Sequence, residues 1–342
     1  MAALTPGRRR RRRWSGIGAV VLVALLAAGA AVAFAVFAGS DEHPGAAVAT
    51  ATVERLTPPP LERPPAQVAV GPLPDPPGAA RVDLASPSLL PDLRLHPAPA
   101  AGLAFDLADG RVLWRRGATR VLPIASLTKL MTGLLAVERF GPRDRVRITF
   151  HADSAGGTHM GGLFRGRRVR AEVLLQGLMI TSGNDAAVAL AVGGAGSIKA
   201  WVQRMNRRAR LLGLSCTHFV DPSGLDPRNR SCPADIAALA VRAIAEPRLA
   251  RIAKRRFARV WPGGGKTITL RTTNHLLRER YPGAIGLKTG FTNAAGHCLV
   301  TIIKRGSRRI GIVLLGSKRD AFADARRIAR ELARAGVIPP AT

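Results

Sequence analysis

Apolar and polar positions change rhythm several times along this chain, and each change marks an element. Ala101 to Phe105 and Arg111 to Arg115 read as two short strands joined by a turn at Asp109-Gly110. Behind Pro123, the apolar positions Leu127, Leu130, Met131, Leu134 and Leu135 recur at helical spacing, which predicts a helix over Ser126 to Phe140 stopped by Gly141-Pro142. Ala171 to Leu178 and Asp185 to Val192 read as helical on either side of a break at Thr181-Ser182-Gly183-Asn184. Leu299 to Ile303 and Arg309 to Leu315 are rich in β-branched residues and flank Gly306-Ser307 as a hairpin. Asp320 to Ala335 is amphipathic, with Phe322, Ile328 and Leu332 inward and arginines outward. Strands at both ends with helices between predict one α+β domain over residues 99–342, its antiparallel sheet built from both ends of the chain.

The pattern before that domain is different. Gly16 to Gly39 is an uncharged apolar run of 24 residues, and a helix needs roughly 20 to cross a bilayer. It reads as a transmembrane signal anchor rather than a cleaved signal, whose apolar region is shorter, although the small residues over Ala33 to Ala38 leave cleavage open. Residues 1–15 form a basic cytoplasmic N-terminus, with Arg8 to Arg13 fixing the orientation and placing the rest of the chain outside. Residues 40–98 read as a Pro/Ala-rich linker, because 14 of the 25 prolines fall between Asp41 and Ala100.

The formal charge of +30 first suggests nucleic acid. An extracytoplasmic location removes that partner, and the arginines are read as solvated or as facing anionic polymers or lipid headgroups. The three cysteines suit an exported protein, with Cys216 and Cys232 as a disulfide or all three as buried thiols. The histidines show no metal-ligand spacing, so neither metal nor cofactor is expected.

Three short motifs carry the candidate chemistry. Ser126-Leu127-Thr128-Lys129 sets a hydroxyl and an amine three residues apart on one helical face, where a lysine of lowered pKa can act as base for a serine nucleophile. Ser182-Gly183-Asn184 follows 56 residues after Ser126; its serine can relay a proton and its amide can donate and accept at once. Lys288-Thr289-Gly290 on an edge strand can bind a carboxylate, with a glycine where a substrate backbone comes close. Each alone is a weak signal.

Together and in this order they resemble the penicillin-recognising serine enzymes, whose S-x-x-K, S-D-N and K-T-G set they match in type. Their surroundings, Ile124 to Thr132, Ser182 to Ala186 and Gly286 to Thr292 with Ala295-Gly296, resemble the low-molecular-mass D-alanyl-D-alanine carboxypeptidases. Asp221 to Asp226 and Asn274 to Leu277 are similar to further segments of that family, and the likeness covers Ala101 to Leu315. It implies a transpeptidase-like fold, a five-stranded antiparallel sheet with a helical cluster.

The resemblance also implies Ser126 as nucleophile, Lys129 as its base and Ser182 as a catalytic partner. It implies Asn184, Lys288, Thr289 and Gly290 as substrate-binding residues and the backbone N–H groups of Ser126 and Phe291 as an oxyanion hole. The implied partners are peptidoglycan stem peptides and β-lactams, and the implied reaction is removal of the terminal D-alanine. Arg271 and Arg278 are candidates to assist Lys288. DD-endopeptidase cleavage and a catalytically weak wall-binding protein remain alternatives. A β-lactamase-like hydrolase is disfavoured, because no glutamate lies between Glu172 and Glu246 to activate a deacylating water. Many family members carry a cleaved signal and a further C-terminal domain, whereas this chain reads as one anchored domain.

Overall fold

The computed structural model describes residues 82–341. The expected basic N-terminus, the apolar stretch and most of the linker lie outside the described residues. Among the described residues no helix is long and apolar enough to cross a membrane.

The centre is a five-stranded antiparallel sheet of β1 (Ala101–Asp106), β2 (Val112–Arg116), β3 (Ala284–Thr292), β4 (Gly296–Arg305) and β5 (Arg308–Ser317), in the order β2-β1-β5-β4-β3. Both ends of the chain thus build one sheet, as the pattern predicts. Alternation along each strand feeds two cores. Leu103, Phe105, Val300, Val313 and Leu315 point to one face, while Ala104, Leu299, Ile312 and Leu314 point to the other. Because both faces are covered, β1 is buried at every position. Each aliphatic side chain buried this way contributes roughly 1.5–3 kcal/mol.

One face carries the helical cluster: α1 (Lys129–Arg139), α2 (Asn184–Ala195), α3 (Ile198–Leu211) and α4 (Pro233–Ala245). Beyond Asn184 and Asp185 in its first turn, helix α2 is apolar all round because it lies inside that cluster, where a polar stripe would have no water to meet. Ser197 caps α3 by accepting from the N–H of Ala200, and Pro233 opens α4 where no intrahelical donor is needed. The other face is closed by α5 (Ala321–Arg334), with Ala325, Ile328 and Leu332 buried and Asp320 capping its start.

Residues that the proline count groups with the linker lie against this sheet. The N–H of Leu90 donates to the carbonyl of Leu113, the indole of Trp114 donates to the carbonyl of Leu93, and Leu95 is buried. The prolines leave few N–H groups to satisfy, so this extended strap docks by side chains and isolated bonds. The structure joins Cys216 to Cys232 and leaves Cys298 as a buried thiol.

Candidate active site

Ser126 sits at the mouth of the helical cluster, on a turn tighter than the sequence predicts. Ala125–Thr128 is a 3-10 turn, and the α-helix begins only at Lys129. In a 3-10 turn, residues three apart eclipse one another, so the S-x-x-K spacing stacks the lysine directly on the serine. The Nζ of Lys129 lies 2.9 Å from Ser126 Oγ. The turn is entered through Ala125 at φ +46°, a left-handed conformation that costs an alanine of order 1–3 kcal/mol and is held by its surroundings.

Lys129 is fully buried. Besides Ser126 it reaches Asn184 Oδ1 at 2.6 Å and the carbonyl of Ser223 at 2.7 Å. Neither of these two oxygens has a proton to give, so both require N–H from the amine. With two hydrogens committed to them, the neutral amine turns its remaining position, a lone pair, towards Ser126. Burial brings the Lys129 pKa down to about 7, against the nearby charges of Asp221 and Asp185, which raise it. A usable base at neutral pH follows.

The loop that supplies the Ser223 carbonyl is organised by one carboxylate. Asp221 accepts from the N–H and hydroxyl of Ser223 and from the N–H groups of Gly224 and Asp226, and its second oxygen also accepts from Asn229 Nδ2. Gly224 has φ +84°, and a Cβ there would stand 1.9 Å from the carbonyl oxygen of Ala125, so no side chain fits. Asn229 in turn accepts from the N–H of Ile124, tying the loop to the chain just before Ser126.

The second motif lies at a break, as expected. A π-turn at Gly177–Thr181 ends in Ser182 at φ +63°, and α2 starts at Asn184. Asn184 is spoken for at both ends, Oδ1 by Lys129 and Nδ2 by the carbonyl of Gly156 at 2.7 Å. One lone pair and one hydrogen of that amide are left for a substrate. Asp185 accepts from the N–H of Met160 and so anchors the same loop over the cleft.

The third motif runs along β3, the edge strand of the sheet. Lys288 is buried and donates to Ser182 Oγ at 2.9 Å and to the carbonyl of Thr289 at 2.8 Å. Desolvation, and then the charge of Lys129, hold its pKa well below the usual lysine range. Thr289 pairs with Thr273 through their hydroxyls at 2.5 Å. A Cβ on Gly290 would come within 3.0 Å of the Ser126 nitrogen, so the strand passes directly beside the candidate nucleophile. Phe291 follows, exposed, its ring tilted against His297 at 4.6 Å.

All the residues singled out in the motifs therefore converge on one cleft. Arg271 and Arg278 do not join them; both are exposed and bond to none of these groups, and Thr273 stands next to Thr289 instead. Asp221, Ser223 and Thr273 are site residues that side-chain spacing does not expose. Cys216, Cys232 and Asp235 lie close enough to share an ion, but the two sulfurs are bonded to each other and offer no thiolate.

Comparison with known proteins agrees with this geometry. The chain is 35% identical over 243 residues to a D-alanyl-D-alanine endopeptidase of Pseudomonas aeruginosa, covering 69% of this chain and 77% of that one. It is 34% identical over 228 residues to the D-alanyl-D-alanine carboxypeptidase DacF of Bacillus subtilis, covering 65% of this chain and 58% of that one. The crystal structure of a D-alanyl-D-alanine carboxypeptidase from Mycobacterium tuberculosis H37Rv superposes with a TM-score of 0.67 at 30% identity, over 75% of this chain and 98% of that one. The family model for peptidase S11, D-alanyl-D-alanine carboxypeptidase, matches residues 96–319, and the chain belongs to this family of penicillin-binding serine DD-peptidases.

Proposed function

We propose that this protein is a serine-type D-Ala-D-Ala carboxypeptidase that removes the terminal D-alanine of peptidoglycan stem peptides through an acyl-enzyme on Ser126. The observation that carries this reading is Lys129: buried, brought down to a pKa of about 7, and with two of its hydrogens committed to Asn184 Oδ1 and the Ser223 carbonyl. Its lone pair takes the Ser126 proton as Oγ attacks the carbonyl between the two D-alanines. The N–H groups of Ser126 and Phe291 receive the oxyanion. In this reading Ser182, which accepts from Lys288, passes a proton towards the leaving amine. Lys288 and Thr289 take the terminal carboxylate, while the free edge of β3 offers backbone groups to an extended peptide. Water then releases the acyl group. β-Lactams, which present a strained amide and a carboxylate, acylate the same serine.

This reading extends to the N-terminus, where Arg8 to Arg13 and the apolar run Gly16 to Gly39 support a single-pass anchor with the catalytic domain outside the cell membrane. Protease shaving of intact spheroplasts that leaves the domain untouched would overturn that topology.

A second reading, endopeptidase cleavage of cross-linked stems, is favoured by the name of the Pseudomonas aeruginosa relative. Intact-protein mass with benzylpenicillin, run beside Ser126→Ala, tests the nucleophile. Release of D-alanine from diacetyl-Lys-D-Ala-D-Ala, against cleavage of a cross-linked muropeptide dimer, separates the two specificities. No adduct on folded wild-type protein would sink the serine mechanism.

A further inference from the structure

We propose that an arginine-rich β-ribbon beside the cleft, with the aromatic rings around it, is a docking surface for an anionic phospholipid bilayer. The ribbon pairs Arg145–Arg147 with Arg168–Arg170, and its register sets Arg145 opposite Arg170 and Arg147 opposite Arg168. Val146 and Val169 are buried, so all four arginines share the exposed face. Like charges directly opposite on one face repel. None of the four has a carboxylate within salt-bridge distance among the described residues, although Arg145 donates weakly to the Arg168 carbonyl at 3.4 Å. The nearest acid in sequence, Asp144, is turned to the N–H of Gly141 instead. A fold that lines up positive charge without supplying its own anions leaves the site suited to an external one.

Three exposed rings decide which anion. Phe150, Phe164 and Trp261 are 57%, 54% and 52% exposed. The Arg165 guanidinium stands over the Phe150 ring at 5.6 Å, and the Phe164 ring lies near Gly265 in the turn that follows Trp261. That turn is packed on the ribbon, since a Cβ on Gly263 would meet the carbonyl of Arg168 at 2.9 Å. Aromatic rings interleaved with arginines match the boundary of a bilayer, where headgroup phosphates take the guanidinium groups and rings enter the edge of the acyl region. A soluble polyphosphate would satisfy the arginines and leave the rings in water. The connection from the ribbon's first strand to its second passes through Gly156 and Met160, whose backbone groups bond Asn184 and Asp185, so docking would set the cleft at a fixed height above the lipid.

The test uses the full chain reconstituted into vesicles, with an environment-sensitive dye on Phe164→Cys; Cys298 is buried and the other cysteines are bonded to each other. Phosphatidylcholine vesicles are compared with vesicles containing phosphatidylglycerol. We expect a blue shift only with phosphatidylglycerol, lost at high salt, and docking weakened about fivefold by each successive change among Arg145→Gln, Arg147→Gln, Arg168→Gln and Arg170→Gln. Because the N-terminal apolar stretch is the same in every variant, these differences report on the ribbon alone. Melting of the variants at or above the wild-type temperature excludes misfolding. No shift with phosphatidylglycerol, or an equal shift in both vesicles, overturns the proposal. A shift caused by soluble polyglycerol phosphate but not by anionic lipid overturns it in favour of a polymer.

Discussion

The cleft and the ribbon carry positive charge in opposite ways. In the cleft two lysines are buried, each hydrogen-bonded by neighbours, and both have pKa values pulled down by desolvation. On the ribbon, arginines stand exposed opposite one another with no carboxylate partner among the described residues. A buried amine surrounded by neutral acceptors is pressed to give up its proton and becomes a base. An exposed guanidinium cannot serve as such a base and is left to act through its charge. Residue type and solvation together, rather than charge count, thus separate chemistry from recognition in a chain whose formal charge is +30.

The largest effect that would break this comparison is at Lys129. Under the proposed mechanism Lys129→Ala removes the base, and we expect acylation by benzylpenicillin, followed by stopped-flow mass or fluorescence, to fall by about 10²–10⁴-fold. Wild-type acylation gives the next effect. Since Lys129 acts only when neutral, the rate falls about tenfold per pH unit below a midpoint near pH 7 and levels off above it. A flat profile from pH 5 to 8 would exclude Lys129 as the base.

Asp221→Asn sharpens the same point, because the carboxylate both builds the Ser223 turn and raises the Lys129 pKa by its charge. The amide keeps the shape while losing the charge and half of the acceptors. We expect maximal acylation to drop about tenfold, the scale of one charged hydrogen-bond network, while the midpoint of the pH profile moves down. A purely structural role would lower the rate and leave the midpoint in place.

What could be read from the sequence divides along the same physical line. Ser126, Lys129, Ser182, Asn184 and Lys288 meet through their side chains, so their spacing announces them. Ser223 meets Lys129 through its carbonyl, which every residue has, so the family-like segment Asp221 to Asp226 drew notice but no side-chain spacing singled out Ser223 within it. Thr273 lies in the bend that follows the strand Ile268–Arg271 and meets Thr289 only after folding. The strap around Leu95 was hidden because proline-rich composition reads as spacer, although a few apolar residues suffice to dock it. The sheet was legible at both ends because alternation is local. Helix α3 had its stripe of Trp201, Met205 and Ala209 in plain view, but a run of arginines on its other face diluted it.

Smaller effects concern how firmly the cleft is held. The Cys216–Cys232 bond spans 16 residues that include the whole Asp221–Asn229 loop. By loop closure, Cys216→Ser with Cys232→Ser costs about 3 kcal/mol of stability. Urea unfolding with and without reductant measures it. Equal midpoints in wild type and double variant under oxidising conditions would show that the bridge contributes nothing.

The smallest effect lies on the ribbon, and its sign is the informative part. If Arg145 and Arg170 repel across the strands, Arg145→Gln relieves one like pair and removes only a weak bond to the Arg168 carbonyl. The melting temperature then rises slightly, by about 1 °C, at low salt. The rise vanishes as salt screens the wild-type repulsion over a few ångströms. A substitution that stabilises the fold while weakening its hold on anionic vesicles would mark Arg145 as kept for a partner. A fall in melting temperature that persists at high salt would instead assign Arg145 to packing, since screening cannot remove a lost contact.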